Sequence, residues 1–540
     1  MTSWKSRNVT AKAVSSSRRV VPRRDVLKAG LSTASVLATP YVARADAIAT
    51  FRHIPEADLA VLDPVWTTAN VTRNHAFMVF DTLYGMDEAF TVQPQMVEAH
   101  SVEADTLWTL RLRSGLMFHD GQPVLARDAV ASIRRWASRS PFGQSLMEAA
   151  DEIAAPDDQT ITLRMKRRFP VTRALANSAL IMPERLATTA PDKQVSEMVG
   201  SGPFRFLADE RVAGARVAYA RFDGYVPREG SKPSFTAGPK TAYVPRVEWN
   251  VIPDMATASA AMLAGEADSW GPSADLLAQL AASPRLRLEM IDTLGGTAVL
   301  RFNHLHPPFD NAAIRRAILG VIDQAEFMTA VSGTDRTLWR DHVGVFTPGG
   351  PMANDAGMAV LTGPRDFARA RADLTEAGYK GEPVVLMNPG DLPNVSALAL
   401  LGADVLTRAG MTVDLQTMDW GTLIQRRSKQ APPSQGGWNV VFTSLNGSGT
   451  MDPADHLGIR GNGLKAWPGW PTSPALESLR NAWFDTADLA AQQAICAQIQ
   501  QQVWQDVPYI PLGQSFGPYA FNRRVTDVVK GFPLFYGLKI

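Results

Sequence analysis

The chain has 540 residues, of which 45% are hydrophobic and 20% charged, with a single cysteine. This composition excludes a mainly disordered or collagen-like chain, a disulfide framework and a cysteine-cluster metal site. Nine of the 54 Lys/Arg and one of the 53 Asp/Glu fall in residues 1–45, leaving 45 basic against 52 acidic residues beyond it. A mildly acidic body gives no electrostatic case for nucleic acid or an anionic membrane.

The basic leader has the ordered parts of a removable export signal. Arg23-Arg24-Asp25-Val26-Leu27-Lys28 has the twin-arginine form, Ala29–Ala38 is a short, weakly apolar stretch, and Ala43-Arg44-Ala45 is a small-x-small cut. The expected mature chain begins near Asp46. No cysteine near the cut could carry a lipid, and no later run of about 18 apolar residues follows, so the expectation is a periplasmic protein with no direct membrane anchor. Cys496 sits in the helical stripe Ile495/Ile499/Val503 and reads as a small buried hydrophobe.

In the body, short strands alternate with amphipathic helices. Trp108/Leu110/Leu112, Ile161/Leu163/Met165 and Val247/Trp249/Val251 have period two and predict half-buried strands. Asp254 predicts the cap of a helix running to Gly265. Asp310 predicts the cap of another, with the stripe Ile314/Ala317/Ile318/Val321. Phe367/Ala370/Leu374/Ala377 closes at Gly378, and Asn394 predicts the cap of a helix ending at Gly410. Interspersed elements of both kinds define an α/β chain.

Eight segments in order carry a resemblance. They include Leu62-Asp63-Pro64 with Phe80-Asp81-Thr82-Leu83-Tyr84, and Trp108–Gly115 running into Phe118-His119-Asp120-Gly121 and Ala126–Val130. Gly200-Ser201-Gly202-Pro203-Phe204, Ala264–Asp268 and Phe302-Asn303 with Pro307–Asn311 follow, then Arg315-Arg316-Ala317-Ile318 and Ala377-Gly378-Tyr379. Together they make residues 46–540 resemble the extracytoplasmic solute-binding proteins of the oligopeptide/dipeptide/nickel ABC importers, family 5. The resemblance implies a two-lobed, hinged periplasmic-binding-protein fold of the large type with an extra subdomain. Residues 46–85, 199–292 and 510–540 would form lobe I, 86–198 a subdomain inserted into it, and 293–509 lobe II. The crossings are expected near 291–296 and 507–514, with Gly295-Gly296 supplying backbone freedom. It also implies a monomer that captures a small solute between the lobes and delivers it to a membrane permease, with no catalytic group and no cofactor.

Other readings stand beside this one. Gly513-Gln514-Ser515-Phe516-Gly517 matches the Gly-x-Ser-x-Gly of serine hydrolases. Pro518 follows where such an elbow needs a helix, and the last histidine, His456, precedes Ser515 where the hydrolase order requires it to follow. His304 and His306 form a His-x-His pair with no third ligand nearby. A periplasmic chaperone or sensory receptor on the same fold is a further alternative.

On the ligand, the resemblance implies an aspartate for a peptide's ammonium within Trp438–Asp455, where this chain offers only Ser444, Leu445 or Asn446. It implies an arginine for a peptide's carboxylate near Asn388–Asn394, where Asp391 stands. An ordinary dipeptide thus loses both expected anchors, and Asp391 would favour a cationic or polyhydroxyl ligand. Of Trp270, Trp420, Trp467 and Trp470, Trp420 reads as the most structural. The expected ligand-binding residues are Asn70, Trp270, Thr443, Asn446, Gln514 and Phe516.

Overall fold

The computed structural model describes residues 49–486 and 488–540. The export signal expected at 1–45 lies outside them. Among the described residues no helix is long and apolar enough to cross a membrane.

The period-two segments form strands as expected: Leu107–Leu112, Thr160–Met165 and Arg246–Asn250. Three sheets organise the molecule. The first has seven strands in the order Phe204–Phe206, Arg216–Arg221, Arg246–Asn250, Thr50–Ile54, Ser269–Trp270, Tyr519–Asn522 and Leu286–Glu289. It gathers an N-terminal, a central and a C-terminal stretch of chain. The second has six strands in the order Trp339–Arg340, Tyr509–Ser515, Gly296–Phe302, Val440–Asn446, Pro383–Pro389 and Thr412–Met418. These two sheets are the centres of two lobes. A four-stranded antiparallel sheet (Val97–Glu103, Leu107–Leu112, Thr160–Met165, Ala150–Ala154) belongs to an insert within the first lobe. The insert is fixed to that lobe by a buried pair, Arg135 with Asp63, whose carboxylate also accepts the Val195 amide at 2.8 Å.

The chain passes from the first sheet to the second between Glu289 and Gly296. The return differs from expectation. Tyr509–Ser515 pairs with Gly296–Phe302 and Trp339–Arg340 along its whole length, so it belongs to the second sheet. The chain re-enters the first sheet only at Tyr519, so the second crossing lies at 516–518 and not 507–514. An apolar run (Tyr509-Ile510-Pro511-Leu512) buried on both faces is a central strand, which a sequence boundary cannot reveal. At the first crossing Gly295 has φ +56°, and a Cβ there would lie 2.3 Å from the Ser515 carbonyl oxygen, so only glycine lets the two crossings approach this closely.

Helix starts follow local chemistry with two shifts. Asp254 caps Met255–Ala264, Gly265 follows at φ +80°, and Asp366 caps Phe367–Glu376. The helix expected to start at Asp310 is capped instead by Asn311, whose side chain accepts the Ala313 amide at 2.9 Å. Asn394 lies inside Pro393–Arg408 and is not its cap; Pro393 occupies the first helical position, where its missing N–H costs nothing. Cys496 is fully buried in Leu489–Asp506, and burial pushes its thiol up.

Candidate functional site

Between the two lobes lies a cleft of about 630 Å³, the size of a small-molecule site. It opens at the carboxyl ends of strands from both sheets, as ligand sites in α/β proteins do. Thr50–Ile54 leads into Glu56, Ser269–Trp270 ends in it, and Val440–Asn446 contributes its last four residues. Pro383–Pro389 leads to Asp391 and Asn394, and Thr412–Met418 to Asp419 and Trp420.

Four of the six expected ligand residues meet here: Asn70 and Trp270 from the first lobe, Thr443 and Asn446 from the second. Gln514 and Phe516 do not line the cleft. Gln514 is buried behind the wall, where its Nε2 donates to the Leu294 carbonyl at 2.6 Å and ties one crossing to the other. Phe516 turns away toward Arg340, whose guanidinium carbon lies 5.0 Å from its ring centroid. Trp467 lines the cleft, as does Trp420, which read as structural. Trp470 instead packs on Trp438, with centroids 6.0 Å apart.

Asp292, Asp391, Asp419 and Asp455 in the cleft hold partners within the chain, whereas the Asp58 side chain makes no hydrogen bond or ion pair among the described residues. Asn70 and the Val71 amide, at the start of helix Asn70–Val79, favour the charged form of the Glu56 carboxyl. Enclosure raises that carboxyl above the usual range, opposed by the charge of Arg73. Asp292 accepts the Leu294 and Gly295 amides at 3.0 and 3.1 Å at the first crossing, and burial raises its carboxyl too. Asp391 accepts the Trp420 amide at 2.7 Å, so the group expected to favour a cation serves as a backbone cap. Asp419 caps helix Trp420–Arg427 through Thr422. Asp455 holds Arg173 at 2.6 Å.

Arg427 ends helix Trp420–Arg427, is 4% exposed and lines the cleft. Among the described residues its guanidinium donates no hydrogen bond and has no carboxylate in ion-pair range, and its buried Nε has no partner. Burial alone lowers its pKa, to about 10. Its guanidinium carbon lies 5.0 Å from the Trp467 ring centroid, and the buried indole N–H of Trp467 is also unpartnered. Two unused donors beside one cavity make a receptor for an acceptor of negative charge. Sequence reading passed over Arg427 because Arg426-Arg427 looks like any basic helix end; only burial and hydrogen-bond accounting separate the two, since Arg426 donates to Gln416 and to the carbonyls of Gly436 and Gly437.

Of the residues with other candidate chemistries, Ser515 ends a strand of the second sheet, and the chain continues through Pro518 into another strand, not a helix. His456 bonds the Val345 carbonyl and the Tyr509 hydroxyl. No group of three His, Cys, Asp or Glu among the described residues could hold a metal. His304 is half-buried, enclosure drives its pKa well below the ordinary value with Arg315 and Arg301 adding to the effect, and His306 bonds the Gln430 carbonyl at 2.8 Å.

Two lobes joined by two crossings, with a cleft at the strand ends, form the architecture of a solute-binding protein. Residues 91–459 match the middle region of the bacterial extracellular solute-binding proteins, family 5, and the chain belongs to that family. It is 35% identical to a probable peptide ABC transporter periplasmic-binding protein (y4tO) of Sinorhizobium fredii, over 96% of this chain and 99% of that one. It is 25% identical to the glutathione-binding protein GsiB of Pectobacterium atrosepticum, over 94% and 95%. The agropinic acid complex of AgaA from A. tumefaciens R10 superposes with a TM-score of 0.76 at 22% identity, over 91% and 98%. The protein is the substrate-binding component of an ABC importer.

Proposed function

We propose that this protein works in the periplasm, exported by its twin-arginine leader, and captures a small solute that carries a carboxylate. The observation that carries the reading is the buried, unpartnered guanidinium of Arg427 lining the cleft. The solute's carboxylate takes the donors of Arg427 and Trp467. Asn70 and Trp270 on one wall, with Thr443 and Asn446 on the other, orient the remainder. No side chain of the cleft is arranged for chemistry on the solute, so the protein delivers it unchanged to a membrane permease, as a monomer. Peptides, glutathione and agropinic acid, named for the relatives and the structural neighbour, all carry carboxylates.

Calorimetry tests this with short peptides, glutathione and opine-type acids, each paired with its carboxyl-amidated form. The acid should bind and its amide should not, and Arg427→Met should weaken the acid by about 100-fold, the scale of a desolvated charge-assisted pair. Equal binding of an acid and its amide, or unchanged affinity in Arg427→Met, would refute the carboxylate site.

A further inference from the structure

The two lobes touch at a second place, away from the crossings. There the insert of the first lobe meets residues 452–485 of the second. Arg173, on the short helix Val171–Ala174 of the insert, reaches Asp455 at 2.6 Å and Asp452 at 3.4 Å, and all three side chains are about three-quarters or more buried. Phe484 stacks on two rings of the insert, Phe169 at 5.2 Å and Phe142 at 5.9 Å, with interplanar angles of 26° and 20°. The Arg460 guanidinium donates to the Pro141 carbonyl, and Asn462 to Gln144 at 3.1 Å. These partners are about 280 to 320 residues apart in the chain.

The mechanical consequence follows from connectivity. The insert is joined to the first lobe by both of its chain ends and by the buried Asp63–Arg135 pair. No chain joins it to the second lobe. Any rotation about the crossings that widens the cleft must therefore part the insert from residues 452–485. The contact also borders the solute site, because Asp455 lines the cleft. We infer that the insert is a clasp: its contact with the second lobe holds the lobes together independently of the solute and sets the balance between open and closed forms. The ion pair supplies direction, and the stacked phenylalanines supply apolar area that water covers when the lobes part. A closed form held in this way lowers the conformational cost of capture and slows release.

The test needs no solute. Nitroxide labels at Val212→Cys and Leu400→Cys sit on exposed positions of the two lobes, and fully buried Cys496 is left unlabelled. Pulsed dipolar spectroscopy then reads the distance between lobes. Phe484→Ala and Arg173→Glu should each raise the ratio of long-distance to short-distance populations at least tenfold over the unaltered protein, with unchanged far-ultraviolet circular dichroism. Adding Asp455→Arg to Arg173→Glu should restore the short distance. Unchanged distributions in both single variants would overturn the clasp. So would failure of the charge-swapped pair to close, since general loosening of the insert would not be rescued by reversing the pair.

Discussion

Two arginines lie over the ring of Trp467, and the two are used in opposite ways. The guanidinium carbons of Arg301 and Arg427 lie 4.9 and 5.0 Å from the ring centroid. Both residues are buried, and burial pulls both pKa values down, to about 9 and about 10. On Arg301 the donors are filled: Nε bonds the Pro468 carbonyl, Nη1 those of Gly458 and Pro508, and Nη2 that of Trp467, all between 2.9 and 3.0 Å. Three segments distant in sequence are gathered on one side chain. On Arg427 nothing is bonded. Residue type, burial and aromatic contact are shared, so hydrogen-bond accounting alone separates an arginine that builds the wall from one that waits for a ligand.

The largest effect expected from breaking this comparison is at Arg301. Arg301→Met removes the donor from four carbonyls of the 458, 467–468 and 508 segments, of which that of Trp467 keeps the Trp470 amide at 3.2 Å. At about 1–3 kcal/mol for each orphaned buried group, the loss is on the order of 5 kcal/mol. Urea unfolding should show a much lower midpoint, with the cleft lost along with the fold.

Arg427→Met should behave in the reverse way. It removes a buried cation that nothing in the chain compensates, and an apolar side chain of similar length fills the space. Such replacements are often neutral or stabilising by about 1–4 kcal/mol. The melting temperature should hold or rise. A fall of several degrees would mean that Arg427 serves the fold and that the two arginines do not differ in kind.

Much of this molecule was legible in the sequence, and the limits have physical causes. Strands at 107–112, 160–165 and 246–250 follow period two because one side of each is buried and the other is not. The helix cap at Asp254 follows because a carboxylate beside free amides is a local matter. Of the residues expected to bind the ligand, Asn70, Trp270, Thr443 and Asn446 line the cleft. Gln514 and Phe516 were misplaced because a fully buried strand does not show where it ends or which side chain faces a cavity. Asp391 was read as a ligand group because its bond to the Trp420 amide joins positions 29 residues apart. Arg427 was invisible for the same reason: a missing partner is a property of the folded surroundings, not of a spacing.

The smallest effect is a pH slope beside Arg301. His456 lies in the same turn as Gly458: its Nδ1 accepts the Gly458 amide at 3.2 Å, so the ring proton is on Nε2, which reaches the Val345 carbonyl at 2.9 Å. Burial lowers its pKa from 6.5 to about 4. The folded protein therefore keeps His456 neutral where the unfolded chain would protonate it. Its contribution is fully present above about pH 6.5 and is lost as the pH falls toward 4, amounting to about 3 kcal/mol across that window at 1.36 kcal/mol per unit. Other buried histidines, His53 and His75 among them with pKa values lowered to about 3, add slopes of the same sign, so the measurement is a difference. Urea unfolding free energies at pH 7 and pH 4.5 should diverge less in His456→Gln than in the unaltered protein. Since His456 is tied to the turn that Arg301 holds, the same substitution should leave the affinity of Arg427 for a carboxylate unchanged at pH 7. A change in that affinity would mean that the two arginines are mechanically one site.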